Sequence, residues 1–224
     1  MRRNLNSGVA KYRDLFHDED SRRVLLQTGQ FGRVIFVMAP MSFKCLSPLL
    51  LMFFAFSGAP GWAQSMVNFK VIPILQPMKE VAPTPEFSLA TPEGKKVSLK
   101  DFRGKTVFLN FWATWCAPCR EEMPAMEKLY QEYKDKNFVV LAVNVKDRKQ
   151  EALNFVKELK LTYPVAFDPE AQVASLYGAW GLPTTYLIGP KGEGLARGWG
   201  PAEWYSPAAR KMFKELLDET NGRR

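Results

Sequence analysis

Apolar positions in this chain follow two periods that alternate along its second half. "TVFLNF" (106–111) and "FVVLAVNV" (138–145) are continuous apolar runs, the pattern of strands buried on both faces of a sheet. Between them Met123, Met126, Leu129 and Tyr133 recur three and four residues apart, which predicts a helix over about 117–134. Leu153, Val156 and Leu159 predict a second helix, and "YPVAF" (163–167) predicts a short strand. Val173, Leu176 and Tyr177 predict a helix that stops at Gly178. "TTYLI" (184–188) and "GLARGW" (194–199) flank the turn "GPKGE" and predict a hairpin. Ala208, Ala209, Met212, Phe213, Leu216 and Leu217 give the apolar face of a closing helix. Ahead of all these, the alternating segments of "EFSLATPEGKKVSL" flank Pro92-Glu93-Gly94 and predict an N-terminal hairpin. The sum is an α/β fold with a mixed central sheet flanked by helices.

Upstream the pattern changes character. Within residues 42–65 a lysine, an apolar run from Leu46 to Phe56 and small residues up to Ala63 follow the order of a secretory signal. The run is shorter than the roughly 20 apolar residues of a spanning helix, and Pro48, Gly58 and Pro60 argue against a core helix. Residues 41–63 are therefore expected to be a signal peptide cleaved after Ala63, with an uncleaved membrane anchor as the alternative. Residues 1–40 are polar and charged at first, as in "RDLFHDEDSRR" (13–23), and contain Met38, while Met41 follows; they are expected to be untranslated or disordered. Residues 64–81 read as an extended lead-in and 82–220 as one folded domain.

Charge changes the picture little. Of the formal net charge of +8, half lies in residues 1–63, with 8 basic against 4 acidic residues. The remaining basic groups are interleaved with acidic ones, as in "KDRKQEA", which reads as a solvated face and argues against a nucleic-acid groove. The one histidine, His17, lies outside the domain, which removes histidine-based triads and histidine ligation of metal or haem.

The candidate chemistry sits in "NFWATWCAPCREEMP" (110–124). Of the 3 cysteines, Cys45 lies in the signal without a lipoprotein box, leaving Cys116 and Cys119. Cys116 is placed at the start of the helix after strand 106–111, where unpaired N–H groups and the helix dipole favour a thiolate. Pro118 is tolerated in the first helical turn. Cys119, one turn in, can attack a mixed disulfide formed on Cys116. A zinc site needs four ligands and finds only two. A static surface disulfide, and two thiolates holding Cu(I), remain open alternatives.

Extended beyond the pair, the motifs "PEFSL…GKKVSLKDFRGKTVFLNFWATWCAPC", "LAVNV" and "YGAWGLPTTYLI" resemble the TlpA/ResA type of thioredoxin-fold reductases, within the redoxin/AhpC-TSA-like superfamily, over about residues 82–218. The resemblance implies a thiol–disulfide oxidoreductase with an inserted helix at 149–160. It implies a cis-proline, Pro183, beside the dithiol, with the Leu182 backbone pairing with substrate. It assigns catalytic roles to Cys116, Cys119, Glu122 and Pro183, supported by Trp115, Ala117, Pro118, Leu182 and Asn110. Where thioredoxins carry a buried aspartate, this chain has Asn110; the proton-handling carboxylate is expected instead at Glu122. Arg120 is expected at the surface, and Trp112 and Trp115 at either core or rim.

The same resemblance implies a monomer in the periplasm or at the outer face of the membrane. It would receive electrons from a membrane thiol conduit and reduce oxidised cysteine-containing exported proteins. Apocytochrome c is one such client, although "AWGLPTT" lacks the acidic residue of the cytochrome-dedicated branch. No cofactor beyond the Cys116–Cys119 disulfide, and no metal, is expected. A peroxiredoxin-like peroxidase is the enzymatic alternative, weakened because Thr114 precedes Cys116 by only two residues.

Overall fold

The structure is a computed structural model and describes residues 67–80 and 82–222. The proposed signal and N-terminal extension lie outside the described residues. Eight strands form one mixed sheet in the order β1-β8-β7-β4-β5-β6-β2-β3. They are β1 (Leu75–Pro77), β2 (Ser88–Ala90), β3 (Lys96–Ser98), β4 (Thr106–Trp112), β5 (Phe138–Val145), β6 (Val165–Asp168), β7 (Thr184–Ile188) and β8 (Gly194–Trp199). The helices are α1 (Ala117–Tyr133), α2 (Lys149–Glu158), α3 (Gln172–Leu176) and α4 (Pro207–Gly222).

The centre is parallel, β4 against β5 and β5 against β6, while β7 and β8 return antiparallel. Every residue of β4 and β5 is buried, which explains their unbroken apolar runs. Alternation divides β4 between two cores. Val107, Leu109 and Phe111 face the layer that holds Val173, Ala174 and Tyr177. Phe108 and Trp112 face the layer built from α1, α2 and α4, through Met123, Met126, Phe155 and Phe213. Asn110 shares that second face by the two-residue period, and there it meets α1.

Glycine suits the left-handed backbone at Gly94 and Gly178. Gly94 sits at φ 78° in the β2–β3 hairpin, where its N–H reaches the Thr91 carbonyl at 3.0 Å. Gly178, at φ 64°, follows the end of α3 as the sequence predicts, and its N–H bonds Ser175.

Three expectations change. The lead-in is no mere tether: β1 pairs with β8, and Val67, Phe69, Ile72 and Leu75 are buried in the main core. Its prolines disguised this, yet Pro77 is acceptable on an edge strand because no neighbour needs its missing N–H. The strand expected at 163–167 starts at Val165, after Pro164, whose carbonyl still accepts from the Ala142 N–H. Ala208, assigned to the apolar face of α4, is exposed. The buried stripe runs through Ala209, Met212, Phe213, Leu216, Leu217 and Thr220, and at 100° per residue Ala208 falls off its edge.

Candidate active site

The loop leaving β4 turns into α1 at Cys116, which is the helix N-cap. Its Sγ accepts the Cys119 N–H at 3.2 Å, so one orphan donor of the first turn is aimed at the sulfur. The two cysteines are joined in a disulfide with Cα atoms 5.3 Å apart. Cys119 is completely buried and Cys116 retains 5% exposure, so Cys116 is less open than the sequence suggests, but it is the outer of the two. Ala117 and Pro118 are exposed beside it. Trp112 proves to be core and Trp115 rim, the latter 67% exposed. Arg120 is on the surface, stacked 5.2 Å over the Phe155 ring of the inserted α2.

Glu122 lies on the buried face of α1, three residues after Cys119, and is 4% exposed. Its Oε1 accepts from Asn110 Nδ2 at 3.0 Å. Its Oε2 accepts from Trp204 Nε1 at 2.7 Å and from the Ala202 N–H at 3.1 Å. Burial pushes the carboxyl up to about 7, and the Trp204, Ala202 and Asn110 donors oppose that rise. Asn110 also donates to Thr185 Oγ1 at 3.1 Å, while its own Oδ1 has no partner among the described residues.

Leu182 and Pro183 are joined by a cis peptide. Pro183 immediately precedes β7, whose Thr184 pairs with Phe111 near the end of β4. The cis-proline and the dithiol therefore share one end of the sheet. The Gly200 N–H holds the Pro183 carbonyl at 2.8 Å.

Several residues here escape sequence reasoning. Asp147, just past β5, accepts from the Thr114 N–H at 2.7 Å and from Asn144 Nδ2 at 2.6 Å, tying down the loop that carries Cys116. Trp204, Ala202 and Thr185 complete the surroundings of Glu122 and Asn110. Trp180 and Trp199 are 81% and 41% exposed at the same sheet end, Trp199 pairing with Thr184. Only an exposed tryptophan next to "GLPTT" offers a sequence signal, and only for Trp180. As possible metal donors the two cysteines stand by themselves: among the described residues no three His, Cys, Asp or Glu side chains converge.

A disulfide-joined cysteine pair at a helix N-terminus, on the same sheet end as a cis-proline and one turn ahead of a buried carboxyl, defines a class: the thioredoxin-fold proteins that exchange dithiols with disulfides. Within it the chain belongs to the AhpC/TSA family, which it matches over residues 81–193. The chain is similar to the thiol-disulfide oxidoreductase ResA of Bacillus cereus (strain ATCC 10987 / NRS 248), 42% identical over 137 residues. Those residues span 61% of this chain and 78% of that protein. Among solved structures it is similar to a Chlorobium tepidum protein assigned as the thiol:disulfide interchange protein DsbE. That likeness has 35% identity and a TM-score of 0.55, covering 62% of this chain and 96% of the other. It is also similar to a DsbF homologue from Corynebacterium diphtheriae, at 28% identity and a TM-score of 0.56, covering 71% and 96%. The protein is a thiol–disulfide oxidoreductase of the thioredoxin fold, as the sequence resemblance implies.

Proposed function

We propose that the protein reduces disulfides of exported, cysteine-containing proteins, with Cys116 as attacking thiolate, Cys119 as resolving thiol and Glu122 as proton carrier. The observation that carries this reading is the buried Glu122 carboxyl on the helix face that bears Cys119, poised near neutrality. In the reduced protein the Cys116 thiolate attacks one sulfur of a client disulfide, and the other client sulfur leaves as a thiolate. Cys119 passes its proton to the Glu122 carboxylate. The new thiolate then attacks the Cys116 sulfur and breaks the bond to the client, which departs with two thiols once solvent protons are taken up. Two electrons have moved to the client and the Cys116–Cys119 disulfide is formed; no further cofactor is required by this balance.

Proline in the slot between the cysteines, Pro118, where strongly oxidising periplasmic enzymes often carry histidine, supports the reducing direction. A membrane thiol conduit on the outer face would restore the dithiol, and the signal-like segment in the sequence supports a periplasmic setting. Apocytochrome c is one candidate client. Clients would lie across the sheet end at Leu182 and Pro183, flanked by Trp115, Trp180 and Trp199. Insulin reduction by the wild-type protein, C116S and C119S tests the proposal. With dithiothreitol present to restore the dithiol, wild type is expected to turn over. C116S should be inert, and C119S should stop at a trapped mixed disulfide on Cys116; activity retained in C116S refutes the assignment.

A further inference from the structure

Among the described residues the hydrogen-bond partners of Glu122 are all N–H donors, and those donors are not equivalent. At Oε2 the partners are the Ala202 backbone N–H and the Trp204 indole N–H, groups that donate and do not accept. Trp204 is fully buried, its ring edge-on to Phe108 at 4.7 Å and near Phe213 at 6.5 Å, so it has no room to swing away. At Oε1 the partner is Asn110, whose amide carries an acceptor as well as a donor, and that acceptor, Oδ1, is unpartnered. A carboxylate is satisfied by three donors. A carboxylic acid must point its O–H at an acceptor, and among the described residues that hydrogen-bond Glu122 Asn110 is the one that can supply it, by turning its amide over. Thr185 tolerates this turn, because its hydroxyl can stop accepting from Nδ2 and donate to Oδ1 instead.

We propose that Trp204 is a positioning residue for Glu122: it anchors Oε2 so that Oε1 alone takes up the exchanged proton, with the Asn110 amide reversing to receive it. The proposal rests on the reading of Glu122 as proton carrier and adds where on the carboxyl the proton goes and what fixes it there. The loop between β8 and α4 thereby sets the pH at which Glu122 changes state. The indole N–H favours the ionised form, opposing burial, and its loss shifts the balance toward the protonated form.

The groups that face Glu122 leave few competing explanations for a pH-dependent signal. From its own helix these are the cysteines, which do not titrate while joined. From the segment before β6 it is Tyr163, whose phenol burial holds neutral far above its usual range. The partners from β4 and from the loop before α4 are uncharged, and among the described residues no charged side chain pairs with Glu122.

The test uses the oxidised full-length protein with its glutamates labelled on the carboxyl carbon. W204F keeps the ring and removes the donor. Its Glu122 titration midpoint is expected to rise by about one pH unit, the scale of one charge-assisted hydrogen bond. The alkaline displacement should recur in the pH profile of insulin reduction. A W204F protein that folds with an unmoved midpoint overturns the proposal, even if E122Q has lost activity and the proton-carrier reading stands. A second measurement needs no change at Trp204. The indole N–H resonance of Trp204 should shift with pH at the Glu122 midpoint in the parent and lose that step in E122Q. An indole resonance flat across that midpoint in the parent equally overturns it, whether or not W204F folds.

Discussion

At the scale of the residue, Glu122 concentrates the energetics of the site. Its carboxyl is raised from the usual 4.5 to about 7, so between those values the folded protein holds a proton that the unfolded chain releases. That contribution to stability is complete below about pH 4.5 and is lost as pH rises through about 7, roughly 3 kcal/mol in all. In E122Q the amide carbonyl can take the Trp204 and Ala202 donors while its NH₂ faces Asn110 Oδ1, so the fold should survive. Denaturant titrations from pH 4.5 to 7.5 are expected to show this part of the pH dependence disappear in E122Q. The same variant should reduce insulin roughly 10-fold or more slowly, within the range of a lost general acid–base, with a flatter pH profile. Activity equal to the parent from pH 6 to 8 would make Glu122 a purely structural residue.

At the scale of the element, the start of α1 is held from outside as well as by its own first turn. Asp147 grips the Thr114 N–H from beyond β5, 33 residues away in the chain. D147A strands that donor and Asn144, and is expected to cost about 1–3 kcal/mol in chemical denaturation. It should also broaden the amide resonances of 113–116; unchanged stability together with unchanged resonances would show that the clamp is idle. Local pattern made β4, β5, α1 and α4 legible, because continuous burial and three-and-four spacing are written in adjacent residues. The helix-start placement of Cys116 was legible for the same reason. Asp147, Trp204 and β1 were not. Each acts through a partner far along the chain, 82 residues in the case of Trp204 and Glu122, and a solvated-looking "KDRKQEA" or a proline-spaced lead-in gives no hint of it. Glu122 was reachable only through the family resemblance, since "REEMP" by itself reads as an exposed helix surface.

At the scale of the whole molecule, the sheet sorts surface from core around one end. The large apolar side chains left exposed among the described residues are Val71, Trp115, Trp180 and Trp199, and the three tryptophans lie at the sheet end that carries the dithiol. If this rim receives polypeptide, W180A should raise KM for insulin several-fold and leave the reduction of a small aromatic disulfide unchanged. An equal loss with both substrates would speak for a packing defect. A reductase must hold its pair at a low potential, so the equilibrium potential of Cys116–Cys119 decides whether electrons flow from this pair to clients. Against a glutathione redox buffer, with the fraction oxidised read by thiol alkylation, the pair is expected near the value of about −270 mV typical of thioredoxin. A potential near about −120 mV, that of a strong periplasmic oxidant, would contradict the reductase reading and reverse the direction of flow.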